Sequence, residues 1–424
     1  MPTPPPQHRQ SLNAISLYTG AGGLDLGFEA AGFATRVAVE LDGQCVETLL
    51  ANRDWPVISK SIHETSSAEI LASAKLGVGE ADVLIGGPPC QPFSKCGYWA
   101  TGDAKRLEDP RASTVEAYFR VLRDVQPRAF LMENVAGLAF KNKDEALRLV
   151  RRIVDAINRE KGTNYGVELL VLNAADFGVP QTRERAFLIG SRDGTQFGAL
   201  TATHRPDIAK SGETQLELSL DLPVYRTAWD AIGDLEVENA EELRLRGKWA
   251  DLLPSIPEGQ NYLFHTDRGD GLPLFGWRRR FWNFLLKLAK DQPSWTLTAQ
   301  PGPATGPFHW ASRRLSAREL CRLQTIPDDY HVLGSLSSVQ RQLGNAVPSA
   351  LAEVIAIEMG RRLLGAAPNG SGLPSLVPKK RSDLPPPEPT EPVPAKYLNL
   401  VGNHSAHPGT GKGNRALARA ATNT

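Results

Sequence analysis

Six short apolar runs, at residues 14–18, 35–39, 83–85, 129–132, 167–172 and 187–189, have the length of buried strands. Three of the intervals between them carry apolar residues at helical spacing. A short helix fits Leu24, Leu26 and Phe28; longer ones fit Val115, Tyr118, Phe119, Leu122 and Val125, and Ala146, Val150, Ile153, Val154 and Ile157. Runs this rich in apolar residues read as buried strands. Their alternation with helices therefore predicts an α/β fold, a doubly wound, largely parallel Rossmann-like sheet. In an open sheet of that kind the ligand crevice lies outside the C-terminal ends of the strands.

The residues that end these runs are accordingly the first candidates for a site. Thr19-Gly20-Ala21-Gly22-Gly23 follows the first run and leads into a helix, the plan of a ligand cradle. Glu40 ends the second run, seventeen residues after Gly23, where an acid can bind ribose hydroxyls. The dinucleotide fingerprint is not matched: its third glycine falls at Asp25, whose charge would repel a pyrophosphate. The cradle thus suits a nucleoside without phosphates, and a tight βα turn with no ligand is the alternative. No G-K-[ST] is present, which removes the triphosphatase reading. The third run breaks into Gly86-Gly87-Pro88-Pro89-Cys90, a stiff turn presenting one thiol, though such a loop could equally carry an inert cysteine. The fourth delivers Glu133-Asn134-Val135. Before the last run stands Gln181-Thr182-Arg183-Glu184-Arg185, in which the two arginines share a face if the segment is extended; solvated surface arginines are the alternative.

From 194 to 313 the alternation stops, and aromatics interleave with cations in Trp277-Arg278-Arg279-Arg280-Phe281-Trp282 and from His309-Trp310 to Arg313-Arg314. A nucleic-acid face looks like this, and so does a solvated charge run beside a small core. Order returns with a helix N-capped at Ser316, with Glu319 at the box position, and with a last helix whose Leu351, Val354, Ile355, Met359 and Leu363 face inward. The expected organisation is a catalytic unit at 11–193, a smaller loop-rich unit at 194–337, a returning C-terminal helix at 338–365, and a disordered tail at 366–424 that is rich in Pro, Gly, Ser and Lys. With 48 basic and 47 acidic residues, no global field advertises a polyanion, so any nucleic-acid face is local. The four cysteines, Cys45, Cys90, Cys96 and Cys321, show neither C-x-x-C nor zinc spacing, so a reduced intracellular chain without a metal is expected. No run reaches membrane-spanning length.

A thiol, an acid and a nucleoside cradle at the strand ends of one sheet suggest conjugate addition to a flat pyrimidine. Sulfur attacks carbon 6 while the acid hydrogen-bonds ring nitrogen 3; carbon 5 then becomes nucleophilic and can take a methyl group from a sulfonium donor. A stacked base must first be flipped out. Six segments occur in one order: Tyr18-Thr19-Gly20-Ala21-Gly22-Gly23, Gly87-Pro88-Pro89-Cys90-Gln91, Glu133-Asn134-Val135, Gln181-Thr182-Arg183-Glu184-Arg185, Arg318-Glu319 and Gln342-Leu343-Gly344-Asn345. With them the chain resembles the bacterial-type DNA (cytosine-5) methyltransferases over residues 14–365. The resemblance implies Cys90 as nucleophile, Glu133 as partner of ring nitrogen 3, Arg185 as a contact to the flipped cytosine, and Arg183 and Gln181 as ordering residues. It implies an S-adenosylmethionine pocket lined by Tyr18, Gly20, Gly22, Gly23, Glu40, Leu41, Ile62, Pro89, Thr114, Asn345 and Val347, with no metal. It further implies a target-recognition role for the aperiodic unit, a last helix packed beside the first strand, a monomer acting on double-stranded DNA in the bacterial cytoplasm, and an open question of pairing with a restriction endonuclease. Ser61 stands where the family usually has an acid for the adenine amine, and Thr114 replaces a commonly apolar residue. An RNA cytosine-5 methyltransferase, an inactive DNA-binding homologue and a thiol hydrolase are the competing readings; the hydrolase would need a histidine in a matching motif, and none of the eight sits in one.

Overall fold

The computed structural model describes residues 11–89, 112–135, 144–207, 221–236, 241–277, 280–366, 374–402 and 404. Cys90 and Cys96 lie outside them. Each expected run forms a strand: β1 (Leu12–Leu17), β2 (Phe33–Val39), β4 (Val83–Gly86), β5 (Ala129–Val135), β6 (Glu168–Asn173) and β8 (Glu184–Ser191). Two very short strands add to these, β3 (Val57–Ile58) and β7 (Gln181–Thr182). Between the strands run α1 (Gly23–Ala30), α2 (Gly43–Asn52), α3 (Ser67–Ala74), α4 (Ala112–Val125) and α5 (Asp144–Lys161).

Seven strands form one sheet in the order β3-β2-β1-β4-β5-β8-β6. Strands β3, β2, β1, β4 and β5 pair in parallel; β8 is antiparallel to both β5 and β6, because no crossover helix separates β6 from β8. Alternate side chains feed two separate cores, as a sheet covered on both faces requires. On one face Ile15, Leu17, Leu84, Phe130 and Leu188 meet Ile70 of α3, Tyr118 and Leu122 of α4, and Val150, Val154 and Ile157 of α5. On the other, Ala14, Val83, Ile85, Leu131 and Phe187 meet Leu24 and Phe28 of α1. The same cluster takes Leu351, Ile355, Met359 and Leu363 from the last helix, so that helix lies against α1 and next to β1, as expected.

The aperiodic region has little regular structure: α6 (Ala228–Ile232), β9 (Ser294–Trp295) and three-residue-per-turn pieces at Ala250–Ser255 and Tyr262–His265. Leu252, Leu253, Ile256, Tyr262, Phe275, Leu285 and Phe308 gather there into a core of their own. Helices α7 (Ala317–Leu323) and α8 (Leu336–Asn345) pack with Leu26 of α1, Leu297 and Trp310 and so join this region to the sheet. The capping box of α7 forms as expected: Ser316 Oγ accepts from the Glu319 amide, and Glu319 accepts from the Ser316 amide. The last helix, α9 (Ser349–Leu363), follows. Among the described residues no helix is long and apolar enough to cross a membrane.

Part of the tail departs from expectation; residues 367–373, 403 and 405–424 of it lie outside the described residues. Residues 374–402 are not disordered but lie across the body of the protein. The Ser375 amide and hydroxyl and the Leu376 amide bond Glu353 of α9, which is 2% exposed. The Arg381 amide and Lys380 Nζ reach Asp230 of α6, and Lys290 Nζ binds Glu388 at 2.8 Å and the Pro386 carbonyl at 3.0 Å. Tyr397 is 3% exposed, stacks on Trp249 with 5.6 Å between centroids, and donates to the Lys248 carbonyl. Composition misled because low mean hydropathy measures only the apolar gain available. This segment satisfies charges already buried on its partner, and its prolines reduce the chain entropy lost on ordering.

Candidate active site

The sequence places the glycine turn after β1, and the turn needs its glycines. Gly20 has φ +58 and Gly22 φ +79. A Cβ at Gly20 would meet nothing within 4 Å, so the backbone there faces open space; one at Gly23 would sit 2.5 Å from the Val347 carbonyl oxygen. The turn is fastened by Glu40, whose carboxylate accepts from the amides of Gly20 at 2.7 Å, Leu41 at 2.8 Å and Asp42 at 2.7 Å. Beyond its position at a strand end, Glu40 thus shapes the cradle. Tyr18 donates to the Thr114 carbonyl at 2.7 Å, and the Thr114 hydroxyl donates to the Pro89 carbonyl at 3.2 Å, which ties the cradle to the turn preceding Cys90. Ile62 is buried and gives its carbonyl to Arg120, Leu41 is exposed, and Asn345 ends α8 at the surface with Val347 buried two residues on. Open backbone over Gly20, an acid at the turn and apolar walls fit a nucleoside sulfonium donor. Among the described residues no cluster of His, Cys, Asp and Glu is placed to hold a metal ion.

The expectation for Asp25 needs correction. Its carboxylate does not face a ligand: it is wholly buried and accepts from the Ser16 and Thr35 hydroxyls. Burial pushes its pKa up to about 7 against those hydrogen bonds, so it shapes α1 from beneath rather than repelling phosphate.

The second cluster grows from register. Val135 lies opposite Arg185 in the β5–β8 pair, which puts Glu133, two residues back, on the same face as Arg185. The Arg185 Nε to Glu133 Oε1 distance is 2.9 Å, with both side chains mostly buried. Burial raises the Glu133 carboxyl above its ordinary range, with Arg185 and Arg183 opposing it. A carboxyl so placed holds a proton more readily than an exposed one would, against the opposing effect of its arginine neighbours. A Cβ on Gly87 would lie 3.1 Å from Glu133 Oε2, and Asn134 Nδ2 donates to the Pro88 carbonyl, so the Gly87-Pro88-Pro89 turn lies against the acid. Glu133 is inside β5, which excludes a helix-capping role for it.

Arg183 is 1% exposed and does not join Glu133. Its guanidinium donates to the carbonyls of Leu297, Gly344 and Ala346. Gln181 accepts from the Leu297 amide and donates to the Leu323 carbonyl and Gln324 Oε1. These two residues fasten the sheet to the segment after β9 and to α7 and α8. Sequence reading missed Gln324, a fully buried side chain that links Gln181 to the Leu343 carbonyl, and Tyr330, whose hydroxyl lies beneath Gly22. Neither sits in a period or a spacing that would mark it. The two described cysteines are poor nucleophiles: burial pushes the Cys45 thiol up to about 12 and the Cys321 thiol up to about 11.

The sequence model of the family described as C-5 cytosine-specific DNA methylase matches residues 12–361. The chain belongs to that family. Type II methyltransferase M.SacI of Streptomyces achromogenes is 37% identical over 401 residues, a match covering 88% of this chain and 99% of that one. Type II methyltransferase M1.HphI of Haemophilus parahaemolyticus is 33% identical over 355 residues, covering 82% and 86% respectively. Among solved structures, the S. pombe Dnmt2 methyltransferase superposes with a TM-score of 0.55 over 83% of this chain and 99% of that one; at 17% identity the likeness concerns the fold alone. The C-5 cytosine-specific DNA methylase described here is a DNA (cytosine-5) methyltransferase whose Rossmann-like sheet carries both clusters at its strand ends.

Proposed function

We propose that the protein transfers a methyl group from S-adenosylmethionine to carbon 5 of a cytosine flipped out of a specific duplex DNA sequence, through a covalent bond from Cys90 to carbon 6. The observation that carries this reading is the buried Glu133–Arg185 pair lying against the turn that leads to Cys90. When bound, S-adenosylmethionine supplies an electrophilic methyl group; Tyr18, Gly20, Gly22, Gly23, Glu40, Leu41, Ile62, Pro89, Thr114, Asn345 and Val347 are the residues assigned to hold it.

The protein's own groups do the rest. Arg185 orients the pyrimidine and keeps Glu133 in place. As the Cys90 sulfur bonds to carbon 6, the ring electrons move toward nitrogen 3, and a proton from Glu133 prevents charge from building there. Carbon 5, now nucleophilic, is methylated; loss of its proton to a base and cleavage of the sulfur–carbon bond restore the aromatic ring and the thiol. Arg183 and Gln181 keep β7, β8 and α7 in register so that the base-binding groups converge. Residues 11–193 are assigned the chemistry and 194–337 the choice of DNA sequence, with 338–365 returning to the sheet. We assign the enzyme to the bacterial cytoplasm, as a monomer that can be paired with a restriction endonuclease.

Bisulfite sequencing of plasmid DNA recovered from an expression host tests this proposal. Methylcytosine at one short recurring sequence is the expected result. Unmethylated plasmid together with methylated transfer RNA would overturn it in favour of an RNA substrate.

A further inference from the structure

Phe281 is the most exposed large apolar residue described, at 86%, and two tryptophans continue from it: Trp282 at 55% and Trp295 at 37%. The two indoles meet edge to face with 5.6 Å between centroids. A phenyl ring left in water on a loose loop would mean little, but this turn is fastened at its backbone. The Arg280 amide donates to the Tyr262 hydroxyl, which donates to the Arg280 carbonyl; Asn261 Nδ2 donates to the Trp282 carbonyl, and the Phe284 amide to the Phe281 carbonyl. Phe284 and Leu285, next in the chain, turn inward to the local core. The fold therefore holds Phe281 and Trp282 outward while their neighbours go in.

The ridge adjoins the strand that leads to Arg185. Trp295 lies on β9 opposite Thr182 of β7, and the Thr296 hydroxyl donates to the Thr182 carbonyl. Arg185 is three residues beyond Thr182, about 10 Å of extended chain. Arg280, exposed, precedes Phe281 with its guanidinium over the Phe284 and Trp249 rings, 5.3 and 5.8 Å from their centroids, and the sequence puts Arg278 and Arg279 immediately before it. Aromatic faces with adjoining cations bind bases by stacking and phosphates by charge.

We infer that Phe281, Trp282 and Trp295 form the surface that contacts the bases next to the target cytosine, with Arg280 holding the adjacent phosphate. This rests on the reading of duplex DNA as substrate. The two kinds of contact respond differently to salt: a phosphate contact contributes to the slope of log affinity against log salt, and an aromatic contact does not.

Binding of the full-length protein to a duplex carrying the site mapped by bisulfite sequencing, measured over a range of salt, tests the assignment. Phe281→Ala should weaken binding by about 10-fold at every salt concentration with the wild-type slope, and Arg280→Ala should reduce the slope by about 1. Because Phe281 is exposed, its variant should melt with the wild type, and Phe281→Leu should recover part of the affinity. Wild-type affinity and methylation in Phe281→Ala would overturn the inference. So would unchanged DNA binding accompanied by altered sedimentation of the free protein, which would make the ridge a contact between copies. A wild type that neither binds nor methylates duplex DNA would instead overturn the substrate reading itself.

Discussion

The sheet region and the loop-rich region of this chain are stabilised by opposite means. In the sheet region, strands alternate side chains into two apolar cores, with few charges buried among them, Asp25 and Arg183 being two, and the Glu133–Arg185 pair stands toward the strand ends where the chemistry is assigned. In the loop-rich region, charged groups are buried as part of the framework. Glu319 is wholly buried and bonded to Arg313 at 2.8 and 2.6 Å; Lys290 is 3% exposed between Glu258 and Glu388; Asp230 takes Lys380 and the Arg381 amide. Beside Glu319, burial presses the His309 pKa down to about 3. Without repeating hydrogen-bonded ladders, a region of loops needs specific polar anchors, and several of these come from the far C-terminus.

The sharpest way to break this division is at Glu133. Replacing it with Gln preserves shape and hydrogen bonding but removes the exchangeable proton, so methyl transfer should fall by about 10² to 10⁴. Binding of cofactor and DNA should persist. Single-turnover kinetics that remain near wild type would take Glu133 out of the chemistry.

The second test concerns residues 374–402, which strap across the body of the protein. Deleting residues 374–424 leaves Glu353 and Lys290 short of partners and uncovers Trp249. Leaving the buried Glu353 carboxylate without its hydrogen bonds typically costs about 1–3 kcal/mol, so thermal denaturation should show a clear fall in melting temperature. An unchanged melting curve would mean that the tail merely rests on the surface.

A third test sharpens the sheet side. Because the folded-state pKa of Asp25 is raised to about 7, the folded protein binds the proton more tightly than the unfolded chain. Its contribution is fully present below the unfolded value of about 4 and is lost as pH rises toward 7, at up to about 1.4 kcal/mol per pH unit. Denaturant titrations from pH 4 to pH 8 should show Asp25→Asn losing less stability with rising pH than the wild type. Parallel curves would show that Asp25 is ionised in the fold.

The same division explains what could be read from the sequence. Six strands and the long helices were legible because buried strands read as short apolar runs and the helices repeat apolar residues every three to four positions, whereas the Glu133–Arg185 pairing emerged only from the β5–β8 register. The antiparallel position of β8 was not legible, since periodicity carries no direction. Asp25 was misread because sequence shows a charge but not which way it points. The strap was misread because its anchors, Glu353, Asp230 and Lys290, are distant in the chain and become buried only on folding. Gln324 was missed for the same reason.

The central claim is that Cys90 adds to carbon 6 of a cytosine held by Glu133 and Arg185. Incubating the protein with S-adenosylmethionine and a duplex carrying 5-fluorocytosine at the mapped site tests it most directly, because fluorine at carbon 5 cannot leave as a proton does and the sulfur–carbon bond persists. The account predicts a stable protein–DNA adduct whose digestion maps to Cys90, absent in Cys90→Ser. An adduct at Cys45, Cys96 or Cys321, or none at all under conditions where unmodified DNA is methylated, would contradict it.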